Sequence, residues 1–305
     1  VEVEKPFIVA AIPAYNEEKG IAKVVLLAQK YVDRVVVCDD GSTDMTAEIA
    51  EGLGADVVRH EKNLGYGAAI QSLFRRARDL GATVMVTLDA DGQHDPQQIP
   101  TLIKPILNEG ADIAVGSRFL DEERSRQNIP FHRRAGIKSI TKLTNVALNN
   151  EMSDAQHGFR AYSRKALEEL RLFENGMGVS VEILLKASGR GLKLAQVPLS
   201  CRYQGLEKTS RYNPLRHGGS VIMSIARVIV EEKPLVSLGL PGAVFLAVGL
   251  LFGAFLLHVY VTEHHIITNV ALASIAFTFI GLFAIFTAIT LYAVSRLSQK
   301  MLKTK

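Results

Sequence analysis

Short apolar runs alternate with amphipathic segments over residues 7–120 of the chain. The apolar runs predict strands at residues 7–13, 33–40, 55–61, 83–89 and 112–119. The intervening segments predict helices at residues 17–31, 44–54, 66–81 and 97–110. Strands that alternate with helices imply crossover connections, so the pattern predicts an α/β fold around a mainly parallel sheet.

The pattern changes after Leu120. It predicts helices at residues 138–150 and 180–191, a strand at 193–203, and a loop or short strand leading into a helix at 153–170. As a helix, residues 218–234 would have one apolar face, and Arg227, Glu231 and Glu232 would lie away from it. This segment is interpreted as a helix lying in a membrane interface, with a soluble amphipathic helix as the alternative.

Two long runs near the C-terminus, residues 235–262 and 266–295, contain no charged side chain. Each run is longer than the roughly 20 residues that a helix needs to cross a bilayer. They predict a hairpin of two transmembrane helices joined at "EHH", and two buried core helices are the alternative.

Positive charges flank the predicted hairpin on one side of the membrane. Arg227 and Lys233 precede it, the basic tail at residues 296–305 follows it, and the connecting loop has no Lys or Arg. Because positive residues favour the cytoplasmic side, the domain at residues 1–217 and both termini are predicted to be cytoplasmic. The N-terminus shows no signal-peptide pattern, and two cysteines, Cys38 and Cys201, do not suggest a disulfide framework.

The net charge of +4 is modest, but basic residues are concentrated at residues 124–138 and 202–218. Nucleic acid is one partner that such patches suggest. Anionic lipid head groups or a phosphorylated substrate are others, and the membrane hairpin favours these over nucleic acid.

Polar residues follow three of the predicted strands, as "PAYNE", "DDGSTD" and "DADGQ". Ligands of parallel sheets bind beyond the carboxyl ends of the strands, so these segments should meet at one edge. Asp89 and Asp91 project to the same side of an extended chain and repel each other unless a cation lies between them. A hard cation such as Mg²⁺ or Mn²⁺ with a diphosphate fits this pair, with Gln93 as a further oxygen ligand and His94 as a bystander. An acidic surface turn is the alternative.

Motifs that the sequence lacks argue against two enzyme classes. It has no Gly-x-x-x-x-Gly-Lys loop, which excludes a P-loop nucleotide hydrolase. No Gly-x-Gly-x-x-Gly follows the first predicted strand, which counts against a dinucleotide dehydrogenase. Asp39 and Asp40 point to opposite sides of their strand, so only one of them should reach a ligand. Ser42, Thr43 and Asp44 are interpreted as a turn and a helix N-cap.

The motifs "IPAYNEE", "VVVCDDGSTD", "NLGYGAAI", "LDADGQHDP" and "VGSRF" resemble, in this order, the family 2 glycosyltransferases with a GT-A fold. "DAQHGFRAYSR", "SVEILLKA" and "QVPLSCRY" resemble the branch that makes polyprenyl-phosphate sugars, such as dolichyl-phosphate mannose synthases. The resemblance covers the predicted domain at residues 1–217 and also fits the hairpin.

The resemblance implies a site for a nucleotide-diphosphate sugar and a divalent metal ion. Its donor-binding residues would be Pro13, Ala14, Tyr15, Glu17, Cys38, Asp40, Asp89, Ala90, Asp91 and Gln93. Asp40, rather than Asp39, would contact the base. Asp91 and Gln93 would bind Mg²⁺ or Mn²⁺, with Asp89 as a third ligand nearer the ribose or the sugar.

The resemblance also implies a site for a lipid phosphate. Its residues would be Arg118, Arg133, Arg134, Lys138, Arg202, Lys208 and Arg211. Ile137 stands where related sequences often have serine, and His157 departs from the familiar pattern without an assigned role. Asp91 and Arg118 are expected to act in catalysis. Asp154 either orients the sugar, takes a proton from the acceptor, or caps the following helix.

The expected reaction transfers a hexose, with inversion, from a nucleotide sugar to a polyprenyl phosphate at the cytoplasmic face of the cell membrane, which makes a lipid-linked donor for glycosylation. GDP-mannose, UDP-glucose and UDP-N-acetylglucosamine all remain open as donors. A transferase acting on the hydroxyl of a glycolipid or polysaccharide is the main alternative, and a non-catalytic scaffold or a channel subunit is less favoured. A homo-oligomer is expected, and nucleic acid is not an expected partner.

Overall fold

A computed structural model describes residues 5–120, 131–148, 151–201, 223 and 226–303. The chain divides into two compact units, Val1–Ile225 and Ala226–Lys305. The boundary falls within the segment predicted to lie in a membrane interface.

The first unit alternates strands and helices as its pattern predicts. Its strands are β1 (Ile8–Ala14), β2 (Arg34–Asp39), β3 (Asp56–Arg59), β4 (Val84–Thr87), β5 (Ile113–Ser117), β6 (Arg160–Ser163) and β7 (Leu194–Pro198). Its helices are α1 (Ile21–Ala28), α2 (Thr46–Gly52), α3 (Tyr66–Asp79), α4 (Ile99–Glu109), α5 (Phe131–Ala147), α6 (Arg164–Glu169) and α7 (Val179–Gly189), and a 3₁₀ turn (Pro96–Gln98) precedes α4.

The strands form one sheet in the order β3-β2-β1-β4-β6-β5-β7. All of its strand pairs are parallel except those of β6, which runs antiparallel to β4 and β5. The predicted mainly parallel sheet is therefore confirmed. Apolar side chains on both faces of β1, β2 and β4 have almost no exposed surface, because helices cover this sheet on both sides.

Several predicted elements are shorter in the structure. Helix α1 begins at Ile21 rather than residue 17, because Asn16 has φ of 55° and residues 17–20 form a turn closed by the Gly20 N–H on the Glu17 carbonyl. Strand β7 ends at Pro198, five residues before the predicted end at residue 203. Pro198 closes the paired register with Ser117 of β5.

The three polar segments meet at one edge of the sheet. Strand β1 lies between β2 and β4 and is parallel to both, so the carboxyl ends of the three strands are adjacent. The loop after β1 also touches the loop after β4. A Cβ atom on Gly20 would lie 2.5 Å from the Ala90 carbonyl oxygen, a distance that only glycine allows.

The second unit is a hairpin of two long helices. Residues 226–232 are helical, a π-helical turn spans Leu235–Gly239, and α8 (Leu240–Glu263) and α9 (Thr268–Lys303) follow. Helix α8 is capped at its C-terminus by His264, which adopts φ of 50°. The segments Leu235–Glu263 and Thr268–Leu297 have mean hydropathy of 2.4 and 2.3, with 11% of each apolar window buried. They are candidate membrane spans, and such low burial is unlike that of core helices.

Small residues let α8 and α9 approach closely. A Cβ atom on Gly281 would lie 2.5 Å from the Leu246 nitrogen and 2.7 Å from the Gly242 carbonyl oxygen. Farther along, the Ser274 hydroxyl donates to the Gly249 carbonyl at 2.9 Å. Backbone contact and interhelical hydrogen bonds are the means by which helices associate in lipid, where the hydrophobic effect between them is weak.

Replacing Gly281 with alanine is expected to separate the two helices, because the new methyl group would overlap backbone atoms that cannot rotate away. We expect the thermal unfolding temperature of the full chain in detergent to fall, by an amount that corresponds to about 1–3 kcal/mol. Gly253→Ala is the matched control, since its Cβ would meet only the Ser274 hydroxyl at 3.1 Å. Equal effects of the two substitutions would contradict the packing described.

Candidate active site

Three carboxylates meet where the loops after β1 and β4 come together. Burial, and then the negative charges of Asp91, Asp89 and Asp44, together raise the pKa of Glu17 from 4.5 to about 7. Because Asp89 and Asp91 affect the pKa of Glu17, the three carboxylates lie close together, and we call them the acidic cluster. Oxygen ligands that repel each other in this way suit a hard divalent cation, so the side chains present fit Mg²⁺ or Mn²⁺.

The acidic cluster predicts a pH-dependent stability in the absence of metal. A carboxyl whose pKa is raised in the folded state stabilises the protein below about pH 4.5, and this contribution is lost as the pH rises through about 7. We therefore expect Glu17→Gln to unfold at a higher temperature than the wild type in EDTA near pH 8, with the difference shrinking near pH 5. Thermal unfolding at several pH values measures this.

Glu61→Gln, at an exposed carboxyl on the loop after β3, serves as the control for that experiment. Addition of Mn²⁺ near pH 8 should stabilise the wild type more than Glu17→Gln. If the unfolding temperatures of Glu17→Gln and the wild type differ by the same amount at every pH, the Glu17 carboxyl does not interact with the charges of Asp89 and Asp91.

The Asp89 carboxylate is bordered by two residues that the sequence analysis did not assign. The Tyr66 hydroxyl lies 3.4 Å from Asp89 Oδ1 and donates to it. Burial, and then the charge of Asp89, raise the pKa of Tyr66 well above its ordinary value, so the hydroxyl keeps its proton. A Cβ atom on Gly158 would lie 3.3 Å from both Asp89 oxygens. Tyr66 belongs to the "NLGYGAAI" motif, which gave no sign of this contact.

Arg118 and Asp154 form a buried ion pair with two parallel hydrogen bonds. Arg118 Nε lies 2.6 Å from Asp154 Oδ2, and Arg118 Nη2 lies 2.9 Å from Oδ1. The Asp154 side chain has no exposed surface and that of Arg118 is 10% exposed. The interpretation of Asp154 as a helix cap is wrong, because the hydroxyl of Ser163 caps the following helix by accepting from Ala166.

A second buried arginine fixes the loop that carries Asp154. Arg160 is 1% exposed and donates to the carbonyls of Ala155 and His157 at 2.7 Å and to that of Ser180 at 2.8 Å. Unpaired buried cations are costly, so three well-aligned acceptors are needed to hold this one. The Thr87 hydroxyl donates to the Gly158 carbonyl at 2.7 Å, and this ties the same loop to the end of β4.

The described part of the predicted lipid-phosphate site lies beside Arg118. The Lys138 ammonium and the Arg118 guanidinium lie 5.6 Å and 5.9 Å from the ring centre of Phe119. On α5, Arg134 is half-buried and Lys138 is exposed, whereas Ile137 is 7% exposed and turned inward. The Arg133 side chain and the residues Arg202, Lys208 and Arg211 lie outside the described part of the chain.

The predicted base contacts Cys38 and Asp40 are turned into the protein. The Asp40 carboxylate accepts from the N–H groups of Leu64 at 3.0 Å and Gly65 at 2.8 Å, and lies 2.6 Å from His60 Nδ1. Cys38 has no exposed surface, and its Sγ lies 3.6 Å from His60 Nε2. Burial, and then Asp40 and Asp39, raise the pKa of Cys38 to about 12. Contact of either side chain with a base would require this network to open.

The remaining predicted donor residues lie along the same edge of the sheet. Tyr15 is exposed, and Asp89, Asp91 and Gln93 are half-buried. The backbone N–H of Gln93 donates to Asp91 Oδ1 at 2.9 Å, which closes the turn after β4. The buried residues of this set are Pro13, Ala14 and Ala90.

The fold and this edge of the sheet define a class of enzymes, the glycosyltransferases with a GT-A fold. Residues 9–171 match the glycosyl transferase family 2, and the chain belongs to that family. The resemblance, the fold class and the enzyme class expected from the sequence are confirmed.

Curated relatives include several enzymes named for transfer to lipid phosphates. The chain is 33% identical over 212 residues to the UDP-N-acetylglucosamine–dolichyl-phosphate N-acetylglucosaminyltransferase of Methanococcus voltae, covering 63% of this chain and 84% of the relative. It is 32% identical over 221 residues to a dolichyl-phosphate hexose transferase of Haloferax volcanii, covering 72% and 92%. An uncharacterised protein of Methanocaldococcus jannaschii is 36% identical over 205 residues, covering 66% and 84%.

A solved structure with a similar fold contains metal and nucleotide. Glucosyl-3-phosphoglycerate synthase from Mycobacterium tuberculosis, in complex with Mn²⁺, UDP and glucosyl-3-phosphoglycerate, is 26% identical with a TM-score of 0.59. The match covers 74% of this chain and 80% of that one. A complex of the same enzyme contains Mn²⁺ and UDP-glucose.

Proposed function

We propose that this glycosyltransferase transfers a hexose from a nucleotide-diphosphate sugar to a polyprenyl phosphate at a membrane surface. One observation supports the proposal: residues 154–158 contact both a carboxylate of the acidic cluster and the guanidinium of Arg118. Gly158 borders the Asp89 carboxylate of the acidic cluster, and Asp154 holds the guanidinium of Arg118. A metal-bound diphosphate and an anionic acceptor both find their complementary charge there.

The donor side needs a divalent cation, for which the acidic cluster is suited. Asp91, Gln93 and Asp89 would hold Mg²⁺ or Mn²⁺, with Glu17 adding negative charge nearby. Such an ion supplies Lewis-acid stabilisation of the charge that develops on the departing nucleotide diphosphate. Tyr66 keeps Asp89 oriented through its hydroxyl.

The acceptor side needs cations more than it needs a base. A phosphate monoester carries a charge of about −1.5 to −2 at neutral pH, so it is already a nucleophile. Arg118, Arg134 and Lys138 would neutralise this charge and let the acceptor approach the anionic donor. Because the Asp154 carboxylate is fully buried against Arg118, we assign Asp154 the role of orienting Arg118 rather than that of transferring a proton. A direct attack inverts the anomeric carbon.

For the base of the nucleotide we favour Asp39 over Asp40, which reverses the expectation from the sequence. The Asp40 carboxylate accepts hydrogen bonds from the loop after β3, whereas Asp39 accepts a turn hydrogen bond from the Ser42 N–H at 3.2 Å. The relatives include an enzyme named for UDP-N-acetylglucosamine and a dolichol-phosphate mannosyltransferase, so UDP-N-acetylglucosamine and the expected mannose donor, GDP-mannose, both belong in the test.

The candidate spans support a lipid acceptor. A polyprenyl chain stays in the bilayer, so its phosphate is reached by an enzyme held at the membrane surface. The flanking positive residues favour a cytoplasmic location for the catalytic unit and both termini. Self-association remains a prediction from the resemblance. A hydroxyl acceptor is the second candidate, because the M. tuberculosis neighbour is named for a glucosyl-3-phosphoglycerate product.

The test uses the full chain in bilayer nanodiscs with polyprenyl phosphate and Mn²⁺. Radiolabelled GDP-mannose, UDP-glucose and UDP-N-acetylglucosamine are supplied one at a time. We expect label from one of them to enter an organic-soluble product that mild acid releases, and only in discs that contain polyprenyl phosphate. Label in a water-soluble or acid-stable product with all three donors would refute the lipid-phosphate acceptor.

A further inference from the structure

Three buried side chains without an assigned role lie beside the acidic cluster: His94, His157 and Cys201. Ring nitrogens of the two histidines and the cysteine sulfur all lie within 4.8 Å of one another. Imidazole and thiolate are the ligands that Zn²⁺ takes in proteins. One interpretation of these three side chains is therefore a zinc site separate from the acidic cluster.

The hydrogen bonds of the two rings oppose a metal site. Asp89 donates its backbone N–H to His94 Nδ1 at 3.0 Å, and Phe159 donates its N–H to His157 Nδ1 at 3.2 Å. A neutral imidazole that accepts at Nδ1 carries its proton on Nε2. Burial, the largest cause, lowers the pKa of His157 well below its usual value, so that ring is neutral. A protonated Nε2 has no lone pair to offer a metal ion.

The same bonds connect segments that are far apart in the sequence. The His94 ring stacks on those of His157 and Phe159, with ring centres 5.1 Å and 5.2 Å apart. His157 Nε2 lies 3.3 Å from Cys201 Sγ and donates to it, and His94 and Cys201 form an isolated backbone bridge. The turn after β4 is thus packed against both the entry to β6 and the segment after β7.

We propose that His94 is a positioning residue for the metal-binding turn, in which it fixes the start of that turn by accepting the Asp89 N–H. The turn is closed a second time by the Asp91 carboxylate, which accepts from Gln93. With both hydrogen bonds in place, Asp89 and Asp91 are held at a set separation before any cation arrives. His157 and Phe159 hold the ring of His94. The acidic cluster therefore keeps a fixed position relative to the loop that carries Asp154. The inference deepens the proposed function and rests on it.

Two substitutions separate the hydrogen bond from the packing. His94→Asn keeps an acceptor, the amide oxygen, near the position of Nδ1 and removes the ring. His94→Phe keeps a stacking ring and removes the acceptor. The experiment measures Mn²⁺ binding to the full chain in detergent by the electron paramagnetic resonance signal of free Mn²⁺, first with the metal alone and then with UDP or GDP. Thermal unfolding in EDTA reports the stability of each variant.

We expect His94→Phe to weaken Mn²⁺ binding by about 10-fold or more, as losses of outer contacts to metal sites do, and His94→Asn to remain near the wild type. A purely structural role would lower the unfolding temperature of the variants and leave Mn²⁺ affinity unchanged, which would overturn the inference. So would stoichiometric zinc in the purified wild type that is lost in Cys201→Ser. If the wild type binds no Mn²⁺ under any condition, the proposed function itself fails.

Discussion

Replacing Asp91 with alanine or asparagine should abolish the stabilisation of this protein by Mn²⁺ and lower sugar transfer by about 100-fold or more. Asp91 lies in the acidic cluster, where its charge contributes to the raised pKa of Glu17. Loss of this ligand leaves the negative charge of the diphosphate without its counter-ion. Thermal shift with Mn²⁺ and UDP or GDP measures the first effect, and initial rates of label transfer measure the second.

Asp95 provides the matched control for this prediction. It belongs to the same run of acidic residues, but its carboxylate caps the 3₁₀ turn by accepting from the Gln97 N–H at 3.1 Å. Asparagine can cap a helix as well as aspartate does, so Asp95→Asn should keep Mn²⁺ binding and most of the activity. Comparable losses in Asp95→Asn and Asp91→Asn would mean that general negative charge, and not a ligand at residue 91, matters here.

Breaking the ion pair of Arg118 and Asp154 should have the second large effect. Asp154→Asn leaves the guanidinium buried without its counter-charge, and removal of one partner of a buried pair costs about 3–5 kcal/mol. We expect a lower unfolding temperature, a turnover reduced by about 100-fold, and a KM for polyprenyl phosphate that rises while the donor KM changes little. Steady-state kinetics with each substrate varied in turn measure these effects.

The double variant Arg118→Met/Asp154→Leu separates stability from function. Apolar side chains that replace a buried ion pair are often neutral or stabilising, so the unfolding temperature should recover while transfer stays low. The pattern of KM values distinguishes orientation of Arg118 from proton transfer as the role of Asp154. A loss of turnover in Asp154→Asn with an unchanged KM for the lipid phosphate would assign Asp154 to proton transfer instead of to the orientation of Arg118.

The mainly parallel sheet and the meeting of its polar strand ends follow from the sequence because both depend on local patterns. Apolar runs of strand length, separated by helices, leave few topologies for a parallel sheet. Asp89 and Asp91 directly follow such a run, and so their position at the carboxyl edge of the sheet is predictable. Membrane-length apolar runs are predictable for the same reason.

Contacts between distant segments are what the sequence does not reveal. Alternation places Cys38 and Asp40 on one side of β2, but it does not show that the loop after β3 covers that side. Arg160 lies in an ordinary strand pattern, and its three carbonyl partners come from residues on either side of it in the chain. The sequence gives His94 no role beside Gln93, whereas in the structure its ring accepts a hydrogen bond from the Asp89 N–H.

The direction of β6 bears on how such enzymes diversify. The chain leaves the sheet at Ser117 and returns at Arg160, and because β6 runs against its neighbours both points lie at the rim where β1, β2 and β4 end. The described residues between these two points include Arg118, Arg134 and Lys138, the cations of the proposed acceptor site, whereas the loops after β1 and β4 carry the acidic cluster. Under the proposed function, a change of this one stretch would alter the recipient of the sugar and leave in place the residues proposed to bind the nucleotide.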